Sequence, residues 1–179
     1  MIAVSKLRER LAYDPCSGVL TWRHVDPEHH YRGTTVARRH NSRFAGTEVG
    51  TLSSSDGYLY CRFDKRDVAI HRLIWAVYHG EWPTCEIDHI NGVRTDNRIQ
   101  NLRQVSSSEN SKNMKRRADN KSGVMGVFWY ARKSKWIAYI NSEGKRTHIG
   151  SFGTKSDAVA ARKRAERDLG FHRNHGRPA

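Results

Sequence analysis

Hydrophobic and polar positions change their period several times along the chain, and each change predicts a structural element. Over residues 5–13 two leucines stand four positions apart among charges, which is typical of a short amphipathic helix that ends before Asp14 and Pro15. Residues 19–22 are apolar enough for a strand. Residues 23–50 show little periodicity, so we expect a long surface loop there.

The next segment predicts a hairpin followed by a helix. Residues 58–63 alternate between apolar and polar, residues 64–67 can turn the chain, and residues 68–70 can return as the second arm. Residues 71–79 then carry apolar side chains at helical spacing, and Gly80 ends the element. This helix is expected to pack on the segment that follows it.

A strand, a second strand and a helix are predicted within residues 86–113. Residues 86–88 can form a strand, Asn91 and Gly92 a tight turn, and residues 102–105 a second strand. Ser106 followed by Glu109 has the spacing of a capping box that opens a helix. The order is β-β-α with an asparagine-rich loop inside.

Such a unit can bring together the groups that hydrolyse a phosphodiester. Asp88 and His89 stand at a strand end, opposite the first helical turn from which Asn110 projects. A hard divalent cation accepts oxygen ligands from Asp88 and Asn110, while a neutral His89 can take a proton from the attacking water. The metal ion can then stabilise the leaving oxygen.

The segment resembles the HNH nuclease family, in the branch found in phage and intron-encoded homing endonucleases. Asp88, His89, Asn101 and Asn110 carry the resemblance. It implies that His89 is the general base, that Asp88 and Asn110 hold a single catalytic metal, and that Asn101 completes the catalytic set by keeping the loop in shape. Asn rather than His at the third motif position favours Mg²⁺ or Mn²⁺ over a tightly bound transition metal.

The flanking sequence resembles the same enzymes at residues 71–83 and 41–46. His71 begins the predicted helix, and it can either point at the site or cap the core. Asp96 and Asn97 fit ordinary turn residues that bond the backbone. Other histidines are interpreted as surface residues or phosphate contacts before ligands: His24, His29, His30, His40 and His79.

The C-terminal part predicts a small antiparallel sheet and one helix. Residues 124–130, 136–141 and 146–152 are strand-like and are separated by turns. Thr154 and Asp157 have capping-box spacing. The following helix carries small residues on one face, namely Ala158, Ala161, Ala165 and Leu169, which let it lie close to the sheet.

This unit resembles the plant APETALA/ethylene-response-factor DNA-binding domain. The residues that carry the match are Ser122, Gly123, Val124, Gly126, Val127, Lys135, Trp136, Gly150, Phe152 and Thr154. The resemblance implies that the sheet lies in the major groove. One face is expected to present Arg132, Lys133, Lys135, Trp136, Arg146 and His148 to DNA. Trp129 and Trp136 are equally consistent with core positions, and residues 128–130 depart from the plant pattern, so no base preference is carried over.

Charge points to the same class of partner. The chain carries a formal net charge of +14, and residues 111–179 hold 17 Lys and Arg against 5 Asp and Glu. Such an excess favours nucleic acid, because neutralised phosphates release condensed counterions. Residues 114–123 form a predicted basic linker in which Lys115, Arg116 and Arg117 contact DNA. Arg43, together with Arg32, Arg38 and Arg39, is expected to contact phosphates.

These observations predict an α+β protein: a ββα-metal (HNH) nuclease core with N-terminal strands and helices, then a three-stranded antiparallel sheet packed on one helix. The expected domains are 1–113, with the nuclease core at about 58–113, the linker 114–123, a DNA-binding domain at 124–170 and a flexible tail at 171–179.

The predicted function is a metal-dependent endonuclease that acts as a monomer and nicks double-stranded DNA at a preferred site. The alternatives are a DNA-binding regulator without activity and an RNA-directed nuclease. Three cysteines are too few and too scattered for a disulfide framework or a zinc site. No signal peptide or membrane segment is expected, which predicts a cytoplasmic protein. No small-molecule cofactor and no membrane partner are expected either.

Overall fold

The computed structural model describes residues 1–28 and 33–178. Within it the chain divides into two compact units, Met1–Gln104 and Val105–Ala179. The expectations for His29, His30 and Arg32 lie outside the described residues. In the part of the chain that is described, no helix has the length and apolar character needed to cross a membrane.

The first unit begins with a helix that is shorter than expected. Helix α1 spans Val4–Arg10, and strands β1 (Leu11–Asp14) and β2 (Val19–Trp22) follow as an antiparallel hairpin. The helix predicted over residues 5–13 therefore ends three residues early. The Asp14 carboxylate accepts hydrogen bonds from the Cys16 amide and the Ser17 hydroxyl, and this turn favours strand pairing over another helical turn.

A helix occupies part of the segment that was expected to be a loop. Helix α2 spans Thr34–Phe44, which corrects the prediction of a long loop over residues 23–50. Its apolar periodicity is weak because only Ala37 on this helix is buried. The helix is fixed instead by polar and aromatic contacts, and a reading of hydrophobic periodicity misses such contacts.

The predicted hairpin and following helix are present. Strands β3 (Thr51–Leu52), β4 (Leu59–Phe63) and β5 (Arg66–Ala69) form an antiparallel sheet, and helix α3 spans Ile70–His79. Asp64 and Lys65 both have positive φ, as a two-residue hairpin turn requires. Gly80 ends α3 in the left-handed conformation, as its position after the last apolar residue predicts.

The first unit closes with a two-stranded sheet of β6 (Glu86–His89) and β7 (Leu102–Val105). Both strands were predicted from the sequence. They join a single core in which α1, the hairpins and α3 meet. Its buried members are Leu7, Leu11, Leu20, Val49, Cys61, Phe63, Ile70, Leu73, Ile74, Ala76, Ile87 and Leu102.

The second unit begins with a short helix and contains the predicted sheet. Helix α4 spans Ser107–Ser111, and its predicted capping box is present between Ser106 and Glu109. Strands β8 (Val127–Tyr130), β9 (Lys135–Ser142) and β10 (Lys145–Phe152) follow in antiparallel order, and then helix α5 (Lys155–Asp168). Thr154 caps α5 by accepting a hydrogen bond from the Asp157 amide, as predicted.

Helix α5 packs on the sheet through a face that differs in part from the expected one. Ala158 is buried, but the other buried positions are Arg162 and Glu166, one and two turns further on. Leu169 is 40% exposed. Arg162 and Glu166 form an ion pair at 3.2 Å, and Nε of Arg162 also donates to the Met125 carbonyl. This pairing satisfies charges that a hydrophobicity pattern assigns to the surface.

The segments on either side of the sheet and helix α5 are also structured. The Arg116 amide donates to the Arg177 carbonyl, and the Gly176 amide donates to the Met114 carbonyl. His175 is 5% exposed, so the tail expected to be flexible is bonded back to the segment expected to be a linker. The domain limits themselves remain a prediction, since both segments belong to the same compact unit.

Candidate active site and nucleic-acid interface

Asp88 and His89 end strand β6, and the neighbouring strand β7 holds the carboxylate. Nε and Nη2 of Arg103 donate to Oδ2 of Asp88 at 3.1 and 2.8 Å. Asp88 is 9% exposed. A guanidinium bonded through two nitrogens to one carboxylate oxygen restricts the rotation of that carboxylate. Arg103 is therefore positioned to orient Asp88.

His89 is bonded through the nitrogen that lies far from its backbone. Nε2 lies 3.0 Å from Oδ1 of Asn97, a carbonyl oxygen that can only accept. Nε2 therefore carries the proton, and Nδ1 is the basic nitrogen of the neutral ring. The sequence placed Asn97 among ordinary turn residues, so its contact with His89 is a structural feature that the sequence interpretation missed.

Aromatic rings surround the His89 imidazole within the first unit. The ring centroids of Tyr58 and His71 lie 5.8 and 5.3 Å from that of His89. Burial lowers the pKa of His89, which favours the neutral ring. Burial, with a contribution from His89, lowers the pKa of His71 to about 4. The sequence left two orientations open for His71. In the structure its ring lies next to that of His89.

The loop between β6 and β7 is fixed by asparagines. Oδ1 of Asn101 accepts from the Asn91 amide at 3.0 Å, and its Nδ2 donates to the Asp96 carbonyl at 2.7 Å. Asp96 also receives two hydrogen bonds from the Arg98 guanidinium, which lower the pKa of this carboxyl to about 2. Asn101 therefore shapes the loop.

The β1–β2 hairpin, near the start of the chain, contacts the same loop. The Tyr13 hydroxyl donates to the Asn97 carbonyl at 2.9 Å. Gly18 lies so close to the loop that a Cβ there would be 2.5 Å from the Arg98 nitrogen and 2.7 Å from the Asn97 carbonyl carbon. Gly18 also has a φ of +78°, which favours glycine. The position of Asn97 thus depends on residues about eighty positions away.

The donor set at this strand end fits a hard divalent cation. Among residues 1–28 and 33–178, no group of three or more His, Cys, Asp and Glu side chains is arranged to hold a metal. Mg²⁺ differs from zinc in needing only one or two protein carboxylates, with water and substrate phosphate completing its shell. Asp88 meets that requirement. Asn110, the other predicted ligand, belongs to the second compact unit.

Comparison with known proteins agrees with this geometry. The HNH endonuclease family matches residues 68–112, which include β6, β7 and the loop between them. The chain carries an HNH endonuclease domain. Protein 3.8 of Escherichia phage T7 is 34% identical over 82 residues, which make up 45% of this chain and 68% of that protein. The chain belongs to the same family as this phage protein. No solved structure matches it.

Outside the HNH domain, the three-stranded sheet presents two faces of different character. Ala138 and Ile140 of β9 are buried, and Trp136 lies on this same side, packed against the core under α5. Trp136 therefore differs from the expectation that it shares a face with Arg146 and His148. Its alternation with Lys135 decides this, because successive strand residues point to opposite faces.

The other side, here called the outer sheet face, consists of Lys135, Ile137, Tyr139 and Asn141 of β9 with Arg146 and His148 of β10. The register pairs Arg146 with Asn141 and His148 with Tyr139. The Arg146 guanidinium lies 4.3 Å from the Tyr139 ring centroid, and its Nε donates to Oδ1 of Asn141 at 3.3 Å. These contacts hold a cation on an exposed, partly aromatic surface.

The remaining predicted DNA contacts are exposed to different degrees. Arg132, Lys133 and Lys115 are exposed, and Arg43 lies near the end of α2. Arg117 pairs with Asp119, and Arg116 donates to the Gly123 carbonyl. Arg116 and Arg117 are thus engaged within the second unit, whereas the turn at Ala131–Lys133 carries two exposed basic side chains, Arg132 and Lys133.

Proposed function

We propose that this protein is a metal-dependent DNA endonuclease of the homing-type HNH branch that nicks duplex DNA. One observation carries the proposal. Within an HNH domain, the imidazole of His89 stands beside Asp88 at the end of β6, with its tautomer fixed by Asn97. A phosphodiesterase needs a neutral base and an anchored carboxylate at one place, and this strand end supplies both.

In the proposed reaction His89 acts as the general base. Nδ1 of His89 takes a proton from a water molecule whose oxygen forms a bond to phosphorus. The bond between phosphorus and the leaving oxygen breaks, and that oxygen is protonated from solvent. Asn97 keeps the Nε2 proton in place, so the ring has one basic nitrogen. Arg103 orients Asp88, and Asn101 maintains the loop that carries Asn97.

The proposed cofactor is one Mg²⁺ or Mn²⁺ ion. Asp88 would hold it. Asn110 was predicted from the sequence as the second ligand, and it belongs to the second compact unit. When bound, the ion supplies charge stabilisation to the phosphate and to the leaving oxygen. Removal of the ion by EDTA is expected to abolish cleavage while duplex binding through basic side chains continues.

We also propose that the second unit binds duplex DNA in the manner of the plant APETALA/ethylene-response-factor domain. The outer sheet face supports this proposal because it presents Lys135, Arg146 and His148 together, and the turn beside it adds Arg132 and Lys133. The major groove admits a two-stranded β-ribbon, and the β9–β10 hairpin that carries Lys135, Arg146 and His148 is one. Trp136 is not part of the proposed interface, because it packs under α5.

One candidate catalytic centre per chain implies one strand cut per binding event. A monomer on DNA is then expected to convert supercoiled plasmid to open circle before any linear product forms. Direct conversion to linear plasmid by a chain that sediments as a monomer on DNA would contradict the nicking proposal.

The decisive experiment compares plasmid cleavage by the wild type, His89→Ala and His79→Ala, each with Mg²⁺, Mn²⁺ or EDTA. His79 is an exposed histidine of the same unit and serves as the matched control. We expect metal-dependent cleavage by the wild type and His79→Ala, and binding without cleavage by His89→Ala. If the wild type binds duplex but never cuts, the chain is a DNA-binding regulator and the proposal is wrong.

A further inference from the structure

Helix α2 is anchored to the first unit along one side. Ala37 is buried, and the His40 ring lies edge-on to Trp22 with centroids 5.4 Å apart. The Asn41 side chain accepts from the Val25 amide at 2.8 Å and donates to the Val25 carbonyl at 2.7 Å. These contacts are spaced three and four residues apart, so they fix the rotation of the helix about its axis.

The opposite side of α2 is mainly basic and polar, with Val36 exposed beside it. Thr35, Arg38, Arg39, Ser42 and Arg43 are all exposed, and the helix contains no acidic residue. We call these five residues the arginine face. Arg39 and Arg43 stand one turn apart, which places their side chains on the same side of the helix, about 6 Å apart along the axis.

The three arginines of this face differ from those cations of the unit that bond a carboxylate or a backbone carbonyl. Arg62, Arg98 and Arg103 each pair with a carboxylate. In residues 1–28 and 33–178, no ion pair involves Arg38, Arg39 or Arg43. Three neighbouring positive charges repel one another, so the helix carries an electrostatic cost that an anionic partner can offset.

We propose that the arginine face binds the sugar-phosphate backbone of duplex DNA, as a contact surface of the catalytic unit itself. The inference rests on the proposed endonuclease function and deepens it. Guanidinium groups bond phosphate oxygens through two nitrogens, and the Thr35 and Ser42 hydroxyls can donate to further oxygens. Charges spread along a helix match an extended polyanion better than a single small anion.

The same surface argues against a membrane as the partner. A helix that lies on a bilayer buries an apolar face and points its basic residues at the lipid headgroups. Here the side opposite the arginines is already packed against Trp22 and Val25 of the protein. The exposed side therefore offers mainly polar and charged groups, with Val36 as an isolated apolar side chain, which suits backbone phosphates of a nucleic acid.

Salt dependence of duplex binding tests the inference. The variant Arg38→Gln/Arg39→Gln/Arg43→Gln is made in the His89→Ala background, so that cleavage does not interfere. The control Arg62→Gln/Lys65→Gln/Arg66→Gln removes the same charge from the exposed β4–β5 hairpin. Fluorescence anisotropy with a labelled duplex is recorded between about 50 and about 300 mM salt. Circular dichroism checks that each variant is folded.

If the arginine face contacts three phosphates, its variant loses about 2 to 3 from the slope of log affinity against log salt, and the control loses much less. Equal slopes for the two variants, or a wild-type slope for the arginine-face variant, would overturn the inference. So would a loss of binding to phosphatidylserine vesicles, with duplex binding unchanged, in the full-length arginine-face variant. Failure of the nuclease proposal would be recognised by a different result. The wild type would then not cleave, while the difference in salt slope between the two variants would remain.

Discussion

The Nε2 atom of His89 lies 3.0 Å from Oδ1 of Asn97, eight residues further along the chain. The bond joins the end of β6 to the loop that leads into β7. Because the amide oxygen accepts, it assigns the ring proton to Nε2 and leaves Nδ1 as the base. The proposed chemistry at His89 therefore depends on how this loop is held.

Asn97→Ala is expected to lower the cleavage rate about 10- to 100-fold, because His89 loses the partner that fixes its tautomer and orientation. Duplex affinity should stay within about twofold of the wild type, since Asn97 is buried and makes no proposed phosphate contact. Single-turnover plasmid nicking and anisotropy measure the two quantities.

Asn97→Asp is the matched variant, because it keeps an acceptor opposite Nε2. Its carboxylate stabilises the imidazolium, so the pH at which cleavage falls off on the acid side is expected to rise. A purely structural role for Asn97 would lower the rate without moving that limb. Wild-type rates for both variants would contradict the positioning role.

Gly18→Ala is expected to reduce cleavage through the same loop. The added Cβ would be 2.5 Å from the Arg98 nitrogen, and the position has a φ of +78°. Backbone atoms cannot rotate away as a side chain can, so the loop that carries Asn97 must shift. We expect at least about a tenfold lower rate.

The control is Gly57→Ala, at a glycine of the same unit with φ of +71° and nothing within 4 Å of the added Cβ. This variant carries backbone strain without the clash. If both variants lose the same fraction of activity, strain and not contact with the Asn97 loop explains the loss. Thermal unfolding of each variant separates a lower rate from a lower folded fraction.

Much of the fold could be predicted because its signals are local. Alternation over residues 58–63 gives β4, and the capping residues Ser106 and Thr154 mark the starts of α4 and α5. Each of these elements satisfies its backbone with its own neighbours in sequence. The position of Asp88 and His89 at the end of β6 was also predicted from the sequence, since their strand and the following turn have local signals; their roles stay a prediction.

The features that were missed depend on distant contacts. Helix α2 is held by Trp22 and Val25, which precede its first residue by twelve and nine positions, so its own apolar pattern is weak. Asn97 depends on Tyr13 and Gly18 for its position, and no spacing rule connects them. Trp136 was left undecided because sheet alternation fixes a face only when the register is known.

The second unit is expected to lose stability in acid through His175. This ring is 5% exposed, and its Nε2 lies 3.3 Å from Nη2 of Arg162. Burial lowers the pKa of His175 in the folded state, while the unfolded state keeps the ordinary value of about 6.5. Between those two values the unfolded chain binds more protons, so stability is complete above about pH 6.5 and falls as the pH drops towards the folded pKa.

His175→Gln removes this proton linkage. Between about pH 7 and about pH 5 the free energy of unfolding of the wild type should fall more steeply than that of the variant, by at most about 1.4 kcal/mol per pH unit. Urea unfolding at each pH measures it, and His148→Gln, at an exposed position, is the control. Parallel curves for the wild type and His175→Gln would show that the ring is not held neutral by folding.

Cys61 is expected to resist modification in the folded protein while Cys16 and Cys85 react. Cys61 lies in β4 at 7% exposure, and burial raises the pKa of its thiol to about 11, whereas the other two cysteines are exposed. The reactive species is the thiolate, so a thiol reagent at about pH 8 should modify two groups at once and the third only after unfolding. Mass spectrometry of labelled peptides identifies the sites. Cys61→Ala should then leave the fast phase unchanged and remove the slow one, whereas rapid labelling of Cys61 would mean that β4 separates readily from the core beneath α3.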